Sequence, residues 1–369
     1  MDKNRFIVIG ISVMLFNSLY QYSWNAFLPL LENGLDVDFV KIQVGYTLFN
    51  IFSTISQMIG GSIADKYGPR LIGIIASILS AIGFLGTSLI PNLFSFYIFW
   101  SLGSIGEGIL YGIATNLAIK WFIDKRGFVV GIVSLGFGLG ATIANPILSL
   151  FVDHKLPFLV IGLIEIFILP VLMYFSEYPA ANTKGSSPKQ LVSDKFWWLV
   201  YFSFTFSLVP LMIMSSSLTK IASYLPKEIV VWLISLFPLL SGIGRPALGR
   251  ISDILGETKM ILTTNLLLVI ANVLLIFKLY IFSVLMIGLF GGSLITLYFS
   301  FLGEIYGIKY STTNTGILYT GKAISGFLGS VIFSYLYLYN QMLGISFSLI
   351  CSVIGLILIL IFSKKKLRI

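Results

Sequence analysis

The chain has 369 residues, 57% hydrophobic and 11% charged, with a mean hydropathy of +0.96 and a formal net charge of +9. A soluble domain carries about 25% charged residues, so most of this surface is built to face lipid. One cysteine, Cys351, excludes a disulfide framework and a cysteine metal cluster. No cofactor is implied, and the single histidine, His154, reads as a solvated side chain in a short loop between Asp153 and Lys155.

The first apolar run, Phe6 to Leu31, is too long for a signal-peptide core and lacks a small-residue cleavage site, so it reads as a membrane span. Runs of about 20 apolar residues cross ~30 Å of hydrocarbon. They predict an all-α polytopic membrane protein with twelve transmembrane helices, over 6–31, 42–64, 70–90, 93–119, 128–152, 156–176, 196–220, 228–251, 259–277, 280–302, 312–338 and 342–362. Most connections are short, as antiparallel neighbours require. The exception is EYPAANTKGSSPKQLVSDK at 177–195, a polar linker. The predicted organisation is an N-terminal six-helix bundle (1–176), a cytoplasmic linker (177–195) and a C-terminal six-helix bundle (196–369).

The basic residues set the orientation. One side of the membrane receives Lys3 and Arg5, Lys66 and Arg70, the Lys120–Arg126 cluster, the linker lysines, Arg250, Lys259, Lys309 and the C-terminal tail. The other receives only Lys41, Lys155, Lys220, Lys227 and Lys278. The positive-inside rule places both termini and the linker in the cytoplasm, and the positive charge is topology rather than a nucleic-acid footprint. Of the 24 lysines and arginines, Arg245 and Lys322 remain inside spans. A charged side chain at the bilayer centre costs at least about 2.5–3.5 kcal/mol and usually faces a cavity.

Arg245 precedes the cytoplasmic turn at Asp253 by about 12 Å of helix, and Lys322 lies about 15 Å into its own span. Both therefore sit at similar depth on the C-terminal half. A planar guanidinium suits bidentate carboxylate binding, and an ammonium acts as a point charge. Two such cations attract a small anion and resist closure without one, which favours exchange over leak. The plainer alternative is that each cation snorkels or pairs with an acid. Glu107, mid-span in GSIGEGILYG, shares a helix face with Tyr111 at i+4. Ionised, it leaves the site one net positive charge; protonated, it leaves two. It either couples protons, tunes substrate charge or makes a structural hydrogen bond. Glu165, in the sixth span, reads as a shielded hydrogen bond or an oligomer contact, and Glu304 snorkels from a span end. Gly131, Gly136, Gly138 and Gly140, followed by Pro146, give the fifth span a thin packing face. They are not a phosphate loop, because no strand precedes them.

An internal repeat joins the halves. Gly61-Ser-Ile-Ala-Asp65-Lys-Tyr-Gly68-Pro-Arg70 follows span two, and Gly249-Arg-Ile-Ser-Asp253-Ile-Leu-Gly256-Glu-Thr-Lys259 follows span eight. Asp65 and Asp253 are expected to gate by pairing with nearby basic residues. This repeated loop on twelve spans resembles the major facilitator superfamily, whose substrate site lies near the midplane between two halves. Further segments are similar to the oxalate/formate antiporter family and its monocarboxylate-transporter relatives. These are YQYSWNAFLPL (20–30), QVGYTLFNIFSTISQMIGGSIADKYGPR (43–70), KWFIDKRGFVVGI (120–132), GFGLGA (136–141), SGIGRP (241–246) and LYTGKAISGFLG (318–329).

The resemblance implies that Arg245 and Lys322 hold the carboxylates, within a cage of Tyr22, Gln43, Tyr111, Tyr319 and Tyr298. The chain departs from the family pattern at Ile123, where a proline is usual, and around Tyr298, where a nearby proline is missing. Glu107 stands where relatives have an apolar or small residue, and Ser241 where monocarboxylate relatives have an aspartate. The implied function is secondary transport of small carboxylates by oxalate/formate-type exchange. The alternative is a proton-coupled monocarboxylate symporter with Glu107 as the proton site. The expected partners are a small carboxylate, the bilayer and, in the symport alternative, protons, with a monomer working in the cell membrane. An enzyme is not expected, since no H-E-x-x-H or G-x-S-x-G occurs. A sensor without turnover lacks room for an output domain.

Overall fold

In lipid, a helix satisfies its backbone hydrogen bonds within one segment, and the computed structural model is helical accordingly. It describes residues 3–122, 126–179, 185–307 and 310–366. The helices of the N-terminal half are α1 (Asn4–Tyr22), α2 (Trp24–Leu35), α3 (Phe39–Tyr67), α4 (Pro69–Leu89), α5 (Leu93–Trp121), α6 (Arg126–Leu148) and α7 (Lys155–Tyr174). A short α8 (Pro188–Ser193) follows in the linker. The C-terminal half holds α9 (Lys195–Ile221), α10 (Lys227–Leu255), α11 (Glu257–Ile276), α12 (Tyr280–Tyr306), α13 (Thr313–Tyr339) and α14 (Gln341–Lys366). Ten of these helices are long and apolar enough to cross a membrane, and α1 with α2 makes an eleventh span. The twelfth is α3, whose 29 residues reach ~44 Å but carry a polar face.

The first span differs from the expected straight helix: it bends by 54° between Tyr22 and Trp24. Pro29 lies inside α2 and has no N–H for the carbonyl of Asn25. Thr219 Oγ1 donates to that carbonyl at 2.7 Å instead, so the break is also a contact between halves. Spans ten and eleven contain π-helical turns at Ile287–Gly291 and Leu328–Ile332, a feature that often marks functional positions.

His154 corrects another expectation. It is fully buried, against Phe158 at 5.6 Å between ring centres and directly beneath Gly34, where a Cβ would lie 2.2 Å from Nδ1. The absence of a side chain at Gly34 makes room for the imidazole, which a reading of the loop alone could not reveal.

Within the N-terminal half α4 packs on α5 and α7, α3 on α5, and α1 on α5 and α6; in the C-terminal half α14 packs on α9 and α11. The halves meet along α6 with α10 and α3 with α13, and α2 lies on α9. The α6–α10 contact is backbone-close. A Cβ on Gly138 would come within 2.5 Å of the Pro238 carbonyl oxygen and 2.8 Å of Gly242 Cα. The repeated loops occupy equivalent turns, α3 to α4 through Gly68 at φ +87° and α10 to α11 through Gly256 at φ +93°, a region glycine enters without a Cβ penalty. In the linker, Ser187 and Gln190 form a capping box on α8. Tyr306 donates to Asp194 at 2.6 Å, tying the linker to the C-terminal half.

Away from the linker, polar side chains bridge the halves. Asn25 Nδ2 donates to the carbonyls of Met214 and Ser215 (2.7 and 2.8 Å), Gln43 Nε2 to that of Ser216 (2.8 Å) and Asn145 Nδ2 to that of Ile234 (2.6 Å). Lys220 pairs with Glu32 at 3.0 Å. This side is closed.

Burial pushes the His154 imidazole below its ordinary range. The unfolded chain then binds the proton more readily, so this contribution to stability is full above about pH 6.5 and is lost as pH falls through the folded value. The unfolding midpoint of His154→Leu should accordingly fall less than that of the parent between pH 7.5 and 5, as measured by thermal denaturation in detergent.

Candidate functional site

The two intramembrane cations come to one place. Arg245, on α10, and Lys322, on α13, are each 1% exposed and close enough for their charges to repel. Neither makes an ion pair among the described residues. Nε and Nη1 of Arg245 have no hydrogen-bond partner there, and Lys322 Nζ donates only to the Tyr319 hydroxyl, at 3.2 Å. The N-terminal half offers them ring faces: Phe137 of α6 lies 5.4 Å from the guanidinium carbon, and Phe49 of α3 lies 4.9 Å from Nζ. Cation–π contacts of this kind contribute about 0.5–2 kcal/mol, against several kcal/mol to strip each ion of water. The rings offset part of that cost and neutralise nothing.

Three of the expected tyrosines surround the pair. Tyr111 of α5 stacks on Tyr319 of α13 across the halves, with centroids 5.7 Å apart and planes at 14°. Tyr22, at the bend of span one, stands edge-on to Phe137 (5.3 Å) and Phe237 (5.9 Å), and its hydroxyl shares a 2.5 Å hydrogen bond with Ser241 on α10. Glu107 is buried on α5. Its Oε2 accepts from Ser53 at 2.5 Å, and it feels the charge of Lys322 without touching it.

Two expected cage residues lie elsewhere. Gln43 belongs to the closed seam described above. Tyr298 faces the interior of the C-terminal half, its hydroxyl bonded to Ser203 at 2.6 Å and its ring against Phe204. The gating set is spread along the α3–α4 and α10–α11 turns. Gly61 is buried, Arg70 lies over the Tyr174 ring at 5.1 Å, and Gly249 and Gly256 stand in open space. Asp253 is exposed and makes no ion pair among the described residues, and the side chain of Asp65 lies outside them. Glu165 accepts from Ser80 at 2.8 Å inside the N-terminal half, one of its two expected roles, and Glu304 is exposed.

Sequence reasoning missed Phe49, Ser53 and Phe137. The signal for the α3 residues was present. Gln43, Thr47, Asn50, Thr54 and Gln57 fall at steps of four, three, four and three, forming a polar seam in a membrane-length helix, and all are buried. That seam points α3 at the other half, and Phe49 and Ser53 flank it.

Two helical halves with a buried pair of cations where they meet are the architecture of a membrane transporter rather than of an enzyme. The comparisons agree. The Major Facilitator Superfamily model matches residues 10–227 and 209–367, and the chain belongs to that superfamily. It is 41% identical to the "Uncharacterized 38 kDa protein in 23S RNA operon" of Thermoproteus tenax, over 90% of this chain and 88% of that one. It is 27% identical to the oxalate:formate antiporter of Oxalobacter formigenes, over 88% of this chain and 82% of the other. A crystal structure of the E. coli fucose:proton symporter superposes with a TM-score of 0.69 at 12% identity, covering 96% and 98% of the two chains. This last likeness is one of fold.

The bond that holds Glu107 yields a prediction. Ser53→Ala removes the donor to a buried acceptor, at a cost of about 1–3 kcal/mol. Ser77→Ala removes only a bond to the Gly73 carbonyl of its own helix. Thermal unfolding of the two purified variants should therefore show the larger drop for Ser53→Ala.

Proposed function

We propose that the chain is a secondary transporter of small carboxylate anions, held between Arg245 and Lys322 and exchanged across the membrane by rocking one half against the other. The reading is carried by one observation: two buried, mutually repelling cations between the halves with no paired anion among the described residues. A carboxylate supplies what both lack. An oxygen of it can accept from an unpartnered N–H of the guanidinium, and the hydroxyls of Tyr22, Tyr111 and Tyr319 stand around it as donors. The likeness to an oxalate:formate antiporter supports the same substrate class.

Occupied, the site can close without exposing unpaired charge to a dry interior; empty, it resists closing, which favours exchange. Glu107 facing Lys322 supports a second mode, a proton-linked monocarboxylate carrier. The basic residues at span ends support cytoplasmic termini in the cell membrane, with each monomer containing a whole site.

A binding cation that lacks a partner costs stability until its ligand arrives. Arg245→Met should thus abolish counterflow of a labelled carboxylate in proteoliposomes, yet keep or raise the unfolding midpoint of the ligand-free protein. It should also lose the rise in midpoint that carboxylate gives the parent. Lys322→Met should abolish counterflow as well. An Arg245→Met protein that transports at the parent rate removes the reading.

A further inference from the structure

Charge on the site is divided between the halves. Arg245 and Lys322 belong to α10 and α13, while Glu107 reaches in from α5 on the opposite side. All three are buried. Among the described residues the other buried acid of the N-terminal half is Glu165, which accepts from Ser80 away from the cleft. The sum over the three groups is therefore one positive charge. That sum is insensitive to how Glu107 and Lys322 share their proton: an ionised pair and a neutral pair both leave the guanidinium's single charge. A further proton on the pair, or removal of the acid while Lys322 stays charged, raises it to two.

We propose that Glu107 is a specificity-determining residue that holds the site at one net positive charge and so restricts the carrier to singly charged carboxylates. This rests on the carboxylate reading above and narrows it. A monoanion neutralises the closed site. A dianion leaves one negative charge buried between aromatic walls, where charge without a partner is strongly disfavoured. Ser53 fixes the carboxylate by donating to Oε2, and the adjacent backbone is fixed by Asn17, whose Nδ2 donates to the Glu107 carbonyl at 3.1 Å. The acid is thus positioned from two other helices of its half, α3 and α1, and faces a cation of the other half.

The test is counterflow in proteoliposomes at neutral pH, with labelled formate (one charge) and labelled oxalate (two) measured side by side in the parent, Glu107→Gln and Glu107→Asp. The parent should prefer formate by about tenfold or more, the effect of ~1.4 kcal/mol. Glu107→Gln, with two positive charges, should shift the ratio toward oxalate by a similar factor, while Glu107→Asp should keep the parent's order. Should Glu107→Gln fail to fold, the parent's own ratio decides: oxalate carried as fast as formate overturns the proposal. A formate-to-oxalate ratio unmoved by Glu107→Gln overturns it equally. Counterflow of neither anion by the parent overturns the carboxylate reading itself, a result distinct from the other two.

Discussion

Two buried positive side chains that make no ion pair among the described residues are the constraint around which the molecule is arranged. Burying an ion costs several kcal/mol even after the protein relaxes around it, and a fold selected for stability alone would give each cation an acid. Here Arg245 receives a ring face from Phe137, Lys322 receives ring faces from Phe49 and Tyr319, and both keep unspent capacity. The deficit is tolerable because it sits at the junction of two bundles that are each well packed. On the reading proposed above it is useful, because an anion that cures it also permits the bundles to close.

The division of labour between the halves follows from this. The C-terminal half carries the charges; the N-terminal half supplies aromatic walls, hydroxyls and one acid. Tyr22 stands at a 54° bend whose freed carbonyl is taken by Thr219 of α9, so a site residue and a contact between halves share one irregular backbone segment. At the α6–α10 contact, Gly138 and Gly242 let the helices touch along their backbones. On the side away from the linker the seam is held by amide side chains bonded to backbone carbonyls. Such bonds exchange for water without leaving buried charge behind. On the proposed reading these are properties of an interface that opens.

Much of this was legible in the chain. Length and hydropathy gave the spans, and subtraction of the lysines and arginines at span ends left Arg245 and Lys322, which the fold brings together. The repeated turns were equally clear, because only glycine sits easily at the positive φ of Gly68 and Gly256. What the sequence hid depends on neighbours remote in the chain. His154 looks solvated until Gly34 is seen above it. Tyr298 shares the aromatic polar character of Tyr319 but turns toward Ser203, and only packing between α12 and α9 decides that. Span one reads as continuous because Pro29 lies where an apolar residue would serve hydropathy equally well.

The polar face of α3 shows how such a reading improves. Membrane helices are judged by how apolar they are, and α3 fails that test while lying in the middle of the bundle. Its polar residues recur at the spacing of a coiled-coil seam, so one stripe meets a partner while the rest of the surface faces the N-terminal half or lipid. Gln43 bonds to Ser216 and Thr47 to Ser330 along that stripe, and Ser53 beside it holds Glu107. A span that is too polar to be stable in lipid by itself is therefore a pointer to the interface between halves. In this chain it leads from sequence spacing to Glu107, the acid proposed to set the charge of the site.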